Sequence, residues 1–550
     1  MSRTVWASRV WHPLSLVTLL AIWLATLGNW PLWQALWQLP DLQPSPWRTI
    51  LTLGALLLGF NLVFLGLTLW NPWRRVLGLA LLAASATATY FMSAYGVVID
   101  PSMVANAMHT DAREVRDLLS LQMIWPALWG FVLPGIWWWR QSASRRPWRR
   151  AAWQRVVYLG FALVLTVLIG RYAFQDLAST MRNHKSLRYM INPYNGVYAL
   201  VHLGIGRAAD VQRPLQAIGL DARFTGRVAA LPEQGPLMVL VVGETLRADH
   251  VGLGGYARDT SPKLMPLKRR GELVYFDQVS SCGTNTQVSV PCMFSAFGQK
   301  AVGSEGRSEN LLDVLLRAGL AVTWLDNQAG CKGVCDRVPT INTSALSDAS
   351  LCPNGECFDE ILVRQLPKQL DKLDVQAQSR ATLAVLHMMG SHGPAYFKRV
   401  PHAHKKFLPE CTDQALQNCD LAAVVNAYDN TARYTDHVLA ELVAWLKTQP
   451  RPTALLFVSE HGESLGENGL FLHGMPYAIA PREQTHVPML TWLSPSWQSR
   501  IGLRLDCLQQ KASLPYSHDN LFHTVLGLAQ VQTELYREEL DLTRGCRSSG

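Results

Sequence analysis

The beginning of the chain contains five apolar stretches, each long enough to cross a bilayer as a helix of about 20 residues. They lie near residues 13–33, 49–70, 76–99, 121–139 and 156–174. Basic residues precede the first stretch, so that stretch alone would also fit a cleavable signal peptide. Because four further stretches follow it, we predict a membrane domain of five transmembrane helices over residues 1–174.

The distribution of arginine predicts how these helices are oriented, because cytoplasmic loops carry an excess of Lys and Arg. The segment between the fourth and fifth stretches has no acidic residue and carries Arg140, Arg145, Arg146, Arg149, Arg150 and Arg155. The acidic residues of this region all lie in the other loops. Five crossings then place everything after about residue 175 on the opposite side of the membrane from the cytoplasm. The formal charge of +9 therefore needs no nucleic acid as a partner.

All ten cysteines lie beyond the last apolar stretch. An even number of cysteines in an exported region is typical of disulfide bonds. Short paired spacings suggest Cys282–Cys292, Cys331–Cys335, Cys352–Cys357 and Cys411–Cys419, which leaves Cys507 and Cys546 as a fifth pair. The sequence does not fix this connectivity. Zinc binding by the cysteines is the alternative, although they lack the repeated two-residue spacing of a zinc ribbon.

The pattern of the chain changes after the membrane domain. Residues 175–235 contain no long apolar run, and we interpret them as a bridging segment at the membrane surface. Farther on, short apolar runs that predict buried strands lie at 237–242, 320–325, 382–389 and 453–458. Helical patterns lie between them, at 308–318 and 426–447. This alternation predicts an α/β sandwich with a mostly parallel sheet over residues 236–550.

Polar residues follow each predicted strand, at the edge where open α/β sheets bind ligands. These residues are Glu244, Asp326, Asn327, His392, Glu460 and His461. One such residue would be an ordinary loop residue or cap, but four strands that present them together predict a shared site. Glu244, Glu460 and His461 are suitable zinc ligands, since catalytic zinc takes about three protein ligands and keeps one open position.

The nucleophile of such a site would bind at the open position of the metal. The segment 282–292 offers several hydroxyl side chains inside one predicted disulfide loop. A metal-bound threonine is a suitable nucleophile because the metal lowers the pKa of its hydroxyl. The alternative is an ordinary turn rich in Ser and Thr. His392 and His473 could bind a second metal or transfer protons, and Lys332 could hold a phosphate.

Four separate motifs resemble those of the membrane-bound phosphoethanolamine transferases, which modify lipid A and belong to the alkaline phosphatase and sulfatase superfamily. The motifs lie at residues 242–245, 282–292, 390–394 and 459–469. The resemblance extends over the whole chain, including the five apolar stretches. It implies a sulfatase-like, zinc-dependent domain that follows a transmembrane domain of five helices.

The resemblance also implies roles by position. Glu244 matches a zinc ligand, Thr286 the nucleophile and His461 the histidine ligand. A second group matches residues around the phosphate, an accessory zinc ion and the substrate pocket: His392, His473, Glu463, Lys332 and Gln328. A third group matches a periplasmic loop implicated in binding the lipid donor: Asn106, Thr110 and Glu114. For this third group, an ordinary polar loop helix is the alternative.

One residue departs from the family pattern. The family usually has Ser-Asp-His-Gly-Glu, whereas this chain has Glu460 at the position of the aspartate. Glutamate also offers a carboxylate oxygen to zinc, but its additional methylene must be accommodated by a different rotamer or a shifted backbone. Because the other matched positions are intact, we expect an active enzyme.

The resemblance implies transfer of phosphoethanolamine from phosphatidylethanolamine to a lipid A phosphate, through a covalent intermediate on threonine. The expected cofactor is one tightly bound Zn²⁺, with a second ion left open. We expect a monomer in the inner membrane that confers resistance to cationic peptides such as polymyxin. The alternatives are a transferase acting on the lipopolysaccharide core or on periplasmic glucans, a sulfatase-like hydrolase, and a catalytically silent envelope protein.

Overall fold

The computed structural model describes residues 10–70, 73–110, 112–144, 146–212, 214–230, 233–301, 307–343, 346 and 348–547. The chain forms two compact units. The first unit comprises Met1–Val104 and Leu119–Leu203, and the second unit comprises Ala105–Leu118 and Gly204–Gly550.

Four helices among the described residues of the first unit are long and apolar enough to cross a membrane: Pro13–Gln38, Pro46–Thr68, Arg74–Tyr95 and Trp148–Phe174. The first of them consists of two α-helices, Pro13–Ala25 and Trp30–Gln38, which are joined by a 3₁₀ turn. The last one continues without a break to Asn183. The first, second, third and fifth predicted stretches therefore have the length and composition of membrane spans.

The fourth predicted stretch, 121–139, is not a single helix, and this corrects the prediction of five. It consists of consecutive short pieces, with a 3₁₀ turn at Leu121–Met123, α-helices at Ile124–Ala127 and Leu133–Arg140, and a π-helix at Leu128–Val132 between them. Prolines at 126 and 134 explain the interruptions. Proline has no backbone N–H to donate, so the regular ladder of hydrogen bonds is broken there and re-forms with another spacing.

Small residues allow two helices of the first unit to pack closely. A Cβ at Gly59 would lie 2.2 Å from Oγ1 of Thr166, and a Cβ at Gly66 would lie 2.8 Å from the side chain of Leu159. Glycine thus lets the helices Pro46–Thr68 and Trp148–Asn183 approach each other, as is typical of helix pairs in lipid. Two shorter helices of the described chain are Pro101–Met108, which crosses from the first unit into the second, and Tyr194–Gln212.

The second unit is built on an eight-stranded sheet. In chain order its strands are β1 (Leu237–Gly243), β2 (Leu273–Ser280), β3 (Ala321–Asp326), β4 (Thr340–Asn342), β5 (Thr382–His387), β6 (Thr453–Ser459), β7 (His486–Leu493) and β8 (Tyr516–Ser517). The order across the sheet is β8-β2-β7-β6-β1-β5-β3-β4. β7 pairs antiparallel with both neighbours, and the other pairs are parallel. The carboxyl ends of β1, β3, β5 and β6 therefore meet at one edge.

Helices cover both faces of this sheet and enclose one apolar core on each face. The helices of seven or more residues in the second unit are Ala112–Leu118, Thr286–Met293, Leu311–Arg317, Glu360–Leu370, Leu421–Lys447, Pro495–Ile501 and Asp519–Leu528. The predicted helix 308–318 begins later than expected, because Asn310 is its N-cap and forms a capping box with Asp313. The prediction of an α/β sandwich with a mostly parallel sheet is confirmed.

The ten cysteines form five disulfide bonds, all in the second unit. The pairs are Cys282–Cys292, Cys331–Cys335, Cys352–Cys357, Cys411–Cys419 and Cys507–Cys546. This is the pairing that the spacing of the cysteines suggested. The alternative of zinc ligation by these cysteines is therefore wrong.

Candidate active site

Two neighbouring strands and one helix place the four predicted metal ligands side by side. Glu244 follows β1, and Glu460 and His461 follow β6. Gly243 and Ser459, the last residues of these parallel strands, are paired. The residues that follow them therefore lie next to each other at the carboxyl edge of the sheet. Thr286 is the first residue of the helix Thr286–Met293. All four residues are at most 3% exposed.

The hydroxyl of Thr286 lies between two carboxylates. Its Oγ1 donates to Oε1 of Glu460 at 2.7 Å and lies 3.3 Å from Oε2 of Glu244. Nε2 of His461 lies 3.1 Å from Oε1 of Glu460 and 3.5 Å from Oε1 of Glu244. Burial by itself raises the pKa of Glu460, but hydrogen bonds with Glu244 and His461 outweigh burial and lower that pKa below its usual range.

Local structure fixes the position of Thr286. The side chain of Asn285 caps the helix and accepts from the backbone N–H of Val288 at 3.1 Å. The Cys282–Cys292 disulfide joins the loop before this helix to its last turn. The threonine is thus held at a helix N-terminus, where backbone N–H groups and the helix dipole favour a negatively charged group such as phosphate.

Glu244 is held through both its side chain and its backbone. Nε2 of Gln328 donates to Oε2 of Glu244 at 2.9 Å, and the backbone N–H of Ser391 donates to the Glu244 carbonyl at 3.0 Å. The chain passes so close at Gly390 that a Cβ there would lie 2.6 Å from this carbonyl, and Gly390 also has a positive φ of 51°. Only glycine meets both requirements without strain.

The residues present fit a zinc ion. The donor set is two carboxylates, one imidazole and one hydroxyl, which is a suitable set for Zn²⁺. Oε2 of Glu460 and Nε2 of His387 are buried and have no hydrogen-bond partner among the described residues. Ligand atoms of Glu244, His461 and His473 lie within 4.8 Å of one another, and so do those of Glu244, His387 and Glu460. Buried polar atoms without a partner are costly, so a bound cation explains why they persist here.

A second group lies next to these four residues. Nδ1 of His473 lies 2.7 Å from Oε2 of Glu463, and the hydroxyl of Tyr396 donates to Oε1 of the same carboxylate at 2.6 Å. The ring centroid of His473 lies 4.4 Å from that of His461 and 5.5 Å from that of His392. Burial, followed by the charge of His473, lowers the pKa of His392 well below its ordinary value. His392 is therefore a neutral imidazole at neutral pH.

The predicted donor loop belongs to the second unit from Ala105 onward. The hydroxyl of Thr110 donates to the backbone carbonyl of Asn106 at 2.9 Å, so this pair forms part of a helix end. The side chain of Glu114 lies outside the described residues. Nζ of Lys332 lies 3.5 Å from the backbone carbonyl of His109 and donates to that of Ala329 at 3.0 Å. Lys332 therefore contacts this loop.

One buried residue of the site, His387, was not predicted as a site residue. His387 ends β5, and its Nδ1 lies 3.2 Å from Oδ2 of Asp326 at the end of β3. On the opposite side of the ring, Nε2 of His387 lies 4.0 Å from Oε2 of Glu460. Burial lowers the pKa of His387, but the hydrogen bond to Asp326 outweighs it and raises that pKa above its ordinary value. A histidine inside an apolar strand was the signal that could have identified it.

This arrangement defines a class of protein: an enzyme with a buried hydroxyl and a candidate metal centre at the carboxyl edge of an α/β sheet, in a chain that also contains long apolar helices. Comparison with known families agrees. Residues 236–531 match the sulfatase family, and residues 56–207 match the family described as phosphoethanolamine transferase EptA/EptB. The chain belongs to the membrane-bound phosphoethanolamine transferases of the alkaline phosphatase superfamily.

Individual relatives support this assignment over nearly the whole chain. Phosphoethanolamine transferase EptA of Salmonella typhimurium is 40% identical over 92% of this chain and 93% of its own length. Phosphatidylethanolamine transferase Mcr-1 of Escherichia coli is 35% identical, with 98% of this chain and 99% of the relative covered. The structure of the integral membrane protein lipooligosaccharide phosphoethanolamine transferase A from Neisseria meningitidis matches with a TM-score of 0.91 at 33% identity. That match covers 97% of this chain and 98% of the other. This chain is accordingly a multi-pass membrane protein.

Proposed function

We propose that the protein transfers phosphoethanolamine from phosphatidylethanolamine to a phosphate group of lipid A, with Thr286 as the covalent nucleophile. The observation that carries this proposal is the buried Thr286 hydroxyl, 2.7 Å from Glu460 and 3.3 Å from Glu244 at a helix N-terminus. The proposal is supported by the relatives named phosphoethanolamine transferase EptA and phosphatidylethanolamine transferase Mcr-1.

The residues that would hold the zinc ion are Glu244, Thr286, Glu460 and His461. When bound, the ion lowers the pKa of the threonine hydroxyl and neutralises charge on the phosphoryl oxygens. His473 and Glu463 would complete an accessory site for a second ion. A structure of a related periplasmic domain, EptC from Escherichia coli, is described as a complex with Zn, and it shares 21% identity with this chain.

The first step forms a bond between Oγ1 of Thr286 and the phosphorus of phosphatidylethanolamine. The bond from phosphorus to the glyceryl oxygen breaks, and diacylglycerol leaves with a proton. Glu460 is positioned to take the proton from the hydroxyl of Thr286. His473, oriented through Nδ1 by Glu463, is placed to supply the proton to the leaving oxygen, and the neutral His392 is placed to accept a proton from the acceptor in the second step.

In the second step, an oxygen of the acceptor phosphate attacks the phosphorus held on Thr286. The bond from phosphorus to Oγ1 breaks, and the threonine hydroxyl regains its proton. Lys332 would hold an anionic phosphoryl group through its charge, and Gln328 keeps Glu244 in place during both steps. Asn106, Thr110 and Glu114 would bind the lipid donor.

We place the first unit in the bacterial inner membrane and the catalytic domain, residues 236–550, in the periplasm. Five disulfides in the second unit support an oxidising compartment. This topology needs an odd number of crossings. The segmented stretch 121–139 would therefore be the fifth crossing of the membrane domain, residues 1–174, beside the four long helices. Residues 175–235 would bridge the two parts at the membrane surface, and the protein would act as a monomer.

Lipid A as the acceptor gives the modification a physical consequence. An ethanolamine cation on a lipid A phosphate reduces the negative surface charge and weakens the binding of cationic peptides such as polymyxin. Sites on the lipopolysaccharide core or periplasmic glucans are alternative acceptors, and water would be the acceptor of a hydrolase.

The test is mass spectrometry of lipid A from a host that lacks its own transferases and expresses the full chain. We expect a mass increase of one phosphoethanolamine group on lipid A, and no such increase with Thr286→Ala. Unmodified lipid A with modified core or glucan would overturn the acceptor. Release of free phosphoethanolamine alone would overturn transfer and favour a hydrolase.

A further inference from the structure

The segment Ala105–Leu118 has an unusual place in the chain. It lies between the third and fourth apolar stretches, yet it packs as part of the second unit. Its helix Ala112–Leu118 carries Asp117, which is 1% exposed. A buried carboxylate on a loop helix requires partners, because an unpaired buried charge is very costly.

Three side chains of the second unit satisfy Asp117. Its Oδ1 accepts from Nζ of Lys398 at 2.5 Å and from Nε2 of Gln414 at 3.2 Å. Its Oδ2 accepts from Nη2 of Arg399 at 2.8 Å. The side chains of Asp117 and Arg399 are 2% and 4% exposed, so solvent screens this pair very little.

The same guanidinium reaches the active site. Nε of Arg399 donates to the backbone carbonyl of His392 at 3.1 Å, and its Nη1 donates to Glu356 at 2.9 Å. All three nitrogens are thus engaged, each with a different acceptor, and the planar fork fixes their relative directions. Lysine could not replace it, because an ammonium group cannot make this set of contacts.

A second contact lies at the other end of the segment, where Nζ of Lys332 is 3.5 Å from the backbone carbonyl of His109. The segment therefore meets the rest of the second unit at two points. Lys332 is itself a predicted site residue, and Arg399 contacts the backbone of His392 in the candidate active site. Between these points lie Thr110 and the following helical turn.

We propose that Asp117 and Arg399 form a latch that fixes the segment 105–118 to the backbone of His392, so that the lipid donor held by this segment is aligned with Thr286. This inference rests on the proposed function. Asp117 and Arg399 are positioning residues in it, and they do not touch the reacting atoms. A role confined to stability would affect all substrates equally, whereas a latch acts mainly on a donor that needs the loop.

The experiment compares two donors with the full chain in detergent. One donor is phosphatidylethanolamine in mixed micelles, and the other is 4-nitrophenyl phosphoethanolamine, a soluble diester without acyl chains. For Asp117→Asn we expect kcat/KM to fall at least tenfold more for the lipid than for the soluble diester. Asp117→Glu keeps the charge and should retain most of the wild-type kcat/KM for the lipid. Arg399→Lys should lose kcat/KM for the lipid selectively, as Asp117→Asn does. Asp259→Asn, which removes an exposed ion pair with Arg433, is the matched control.

Hydrogen–deuterium exchange gives a readout that does not depend on activity. Amides of residues 105–118 should exchange faster in Asp117→Asn than in the wild type, while those of β1 and β6 stay protected. Equal losses for both donors, or unchanged exchange in this segment, would overturn the latch. If Asp117→Asn does not fold, Lys398→Gln and Gln414→Ala each remove one contact and are judged by the same two measurements. A wild-type enzyme that transfers no phosphoethanolamine would instead overturn the proposed function, and exchange would still test the latch.

Discussion

The two units of this protein both bury apolar cores but differ in the side chains that they expose. In the first unit, Phe161 and Leu168 are 70% and 59% exposed, whereas Asn61 is fully buried. In the second unit, the strands of the sheet are buried and apolar, and fully buried ionisable groups lie at its carboxyl edge. Lipid accepts exposed apolar side chains but offers no hydrogen bonds to polar groups. Water hydrogen-bonds polar groups but disfavours exposed apolar side chains. Each unit thus exposes the side chains that its surroundings accept, and the second unit keeps buried ionisable groups both at the candidate site and in ion pairs away from it, such as Arg258–Asp429.

The largest expected effect comes from removing the hydroxyl at the centre of this charged edge. Thr286→Ala should lower transfer from phosphatidylethanolamine by roughly 10³-fold or more, because the covalent step is lost. The measurement is kcat with labelled lipid, combined with peptide mass spectrometry for a phosphoethanolamine adduct on residue 286. Thr286→Ser keeps a hydroxyl and should retain the adduct. Normal turnover by the alanine variant would show that Thr286 is not the nucleophile.

The next prediction concerns His387 and the glutamate that departs from the family pattern. His387→Gln should weaken zinc binding about 10- to 100-fold, as is typical when a residue that orients a metal ligand is lost. Oε2 of Glu460 lies 4.0 Å from Nε2 of His387, and we attribute this approach to the additional methylene of Glu460. In a Glu460→Asp background the shorter carboxylate would lie farther from His387. The loss of zinc affinity caused by His387→Gln should then largely disappear.

Zinc content after dialysis against graded chelator measures this pair of effects in the full chain. His486→Gln, a change outside the candidate site, is the matched control, and it should leave zinc content unchanged. If His387→Gln costs the same affinity in both backgrounds, His387 does not act through Glu460.

These two residues also show how far sequence reasoning reaches. Glu244, Glu460 and His461 were predicted because each directly follows a strand, and adjacent parallel strands place such residues together. His387 lies inside an apolar run, where a buried histidine resembles core. Asp117 and Arg399 are 282 residues apart, and no local pattern connects them. The break in the stretch 121–139 depends on which carbonyl each N–H can reach, which hydropathy does not record.

A smaller effect is expected from pH acting on a histidine away from the site. Burial, followed by the charge of Arg537, lowers the pKa of His523 from 6.5 to about 4. Between these values the unfolded chain binds more protons, so the stability contributed by neutral His523 is complete above pH 6.5 and is lost as pH falls toward 4. His523→Gln keeps an acceptor for the backbone N–H of Arg537, which now bonds to Nδ1 at 3.1 Å. Its Tm should therefore fall by a few degrees less than that of the wild type between pH 7 and 4.5. An equal fall in both proteins would contradict this, and exposed His402→Gln is the control.

The smallest effect tests the contrast between the two units directly, with two asparagines that are both 0% exposed. Asn61, in the first unit, donates to the Ala21 carbonyl at 3.0 Å and accepts from the hydroxyl of Tyr194 at 2.5 Å. Asn430, in the second unit, accepts from two backbone N–H groups at 2.8 Å and donates to the Phe407 carbonyl at 3.0 Å.

Both asparagines can be replaced by leucine, which has a similar volume and no hydrogen bonds. Asn430→Leu leaves backbone groups unsatisfied against a water reference, so it should cost about 3 kcal/mol. Asn61→Leu should cost about 1 kcal/mol, because groups in a bilayer find other partners in the unfolded state and leucine suits lipid. Thermal unfolding of the full chain in detergent measures both, with Tm falling less for Asn61→Leu. Equal costs would mean that the buried polar groups of both units meet the same environment in the unfolded state. The two units would then differ only in their surfaces.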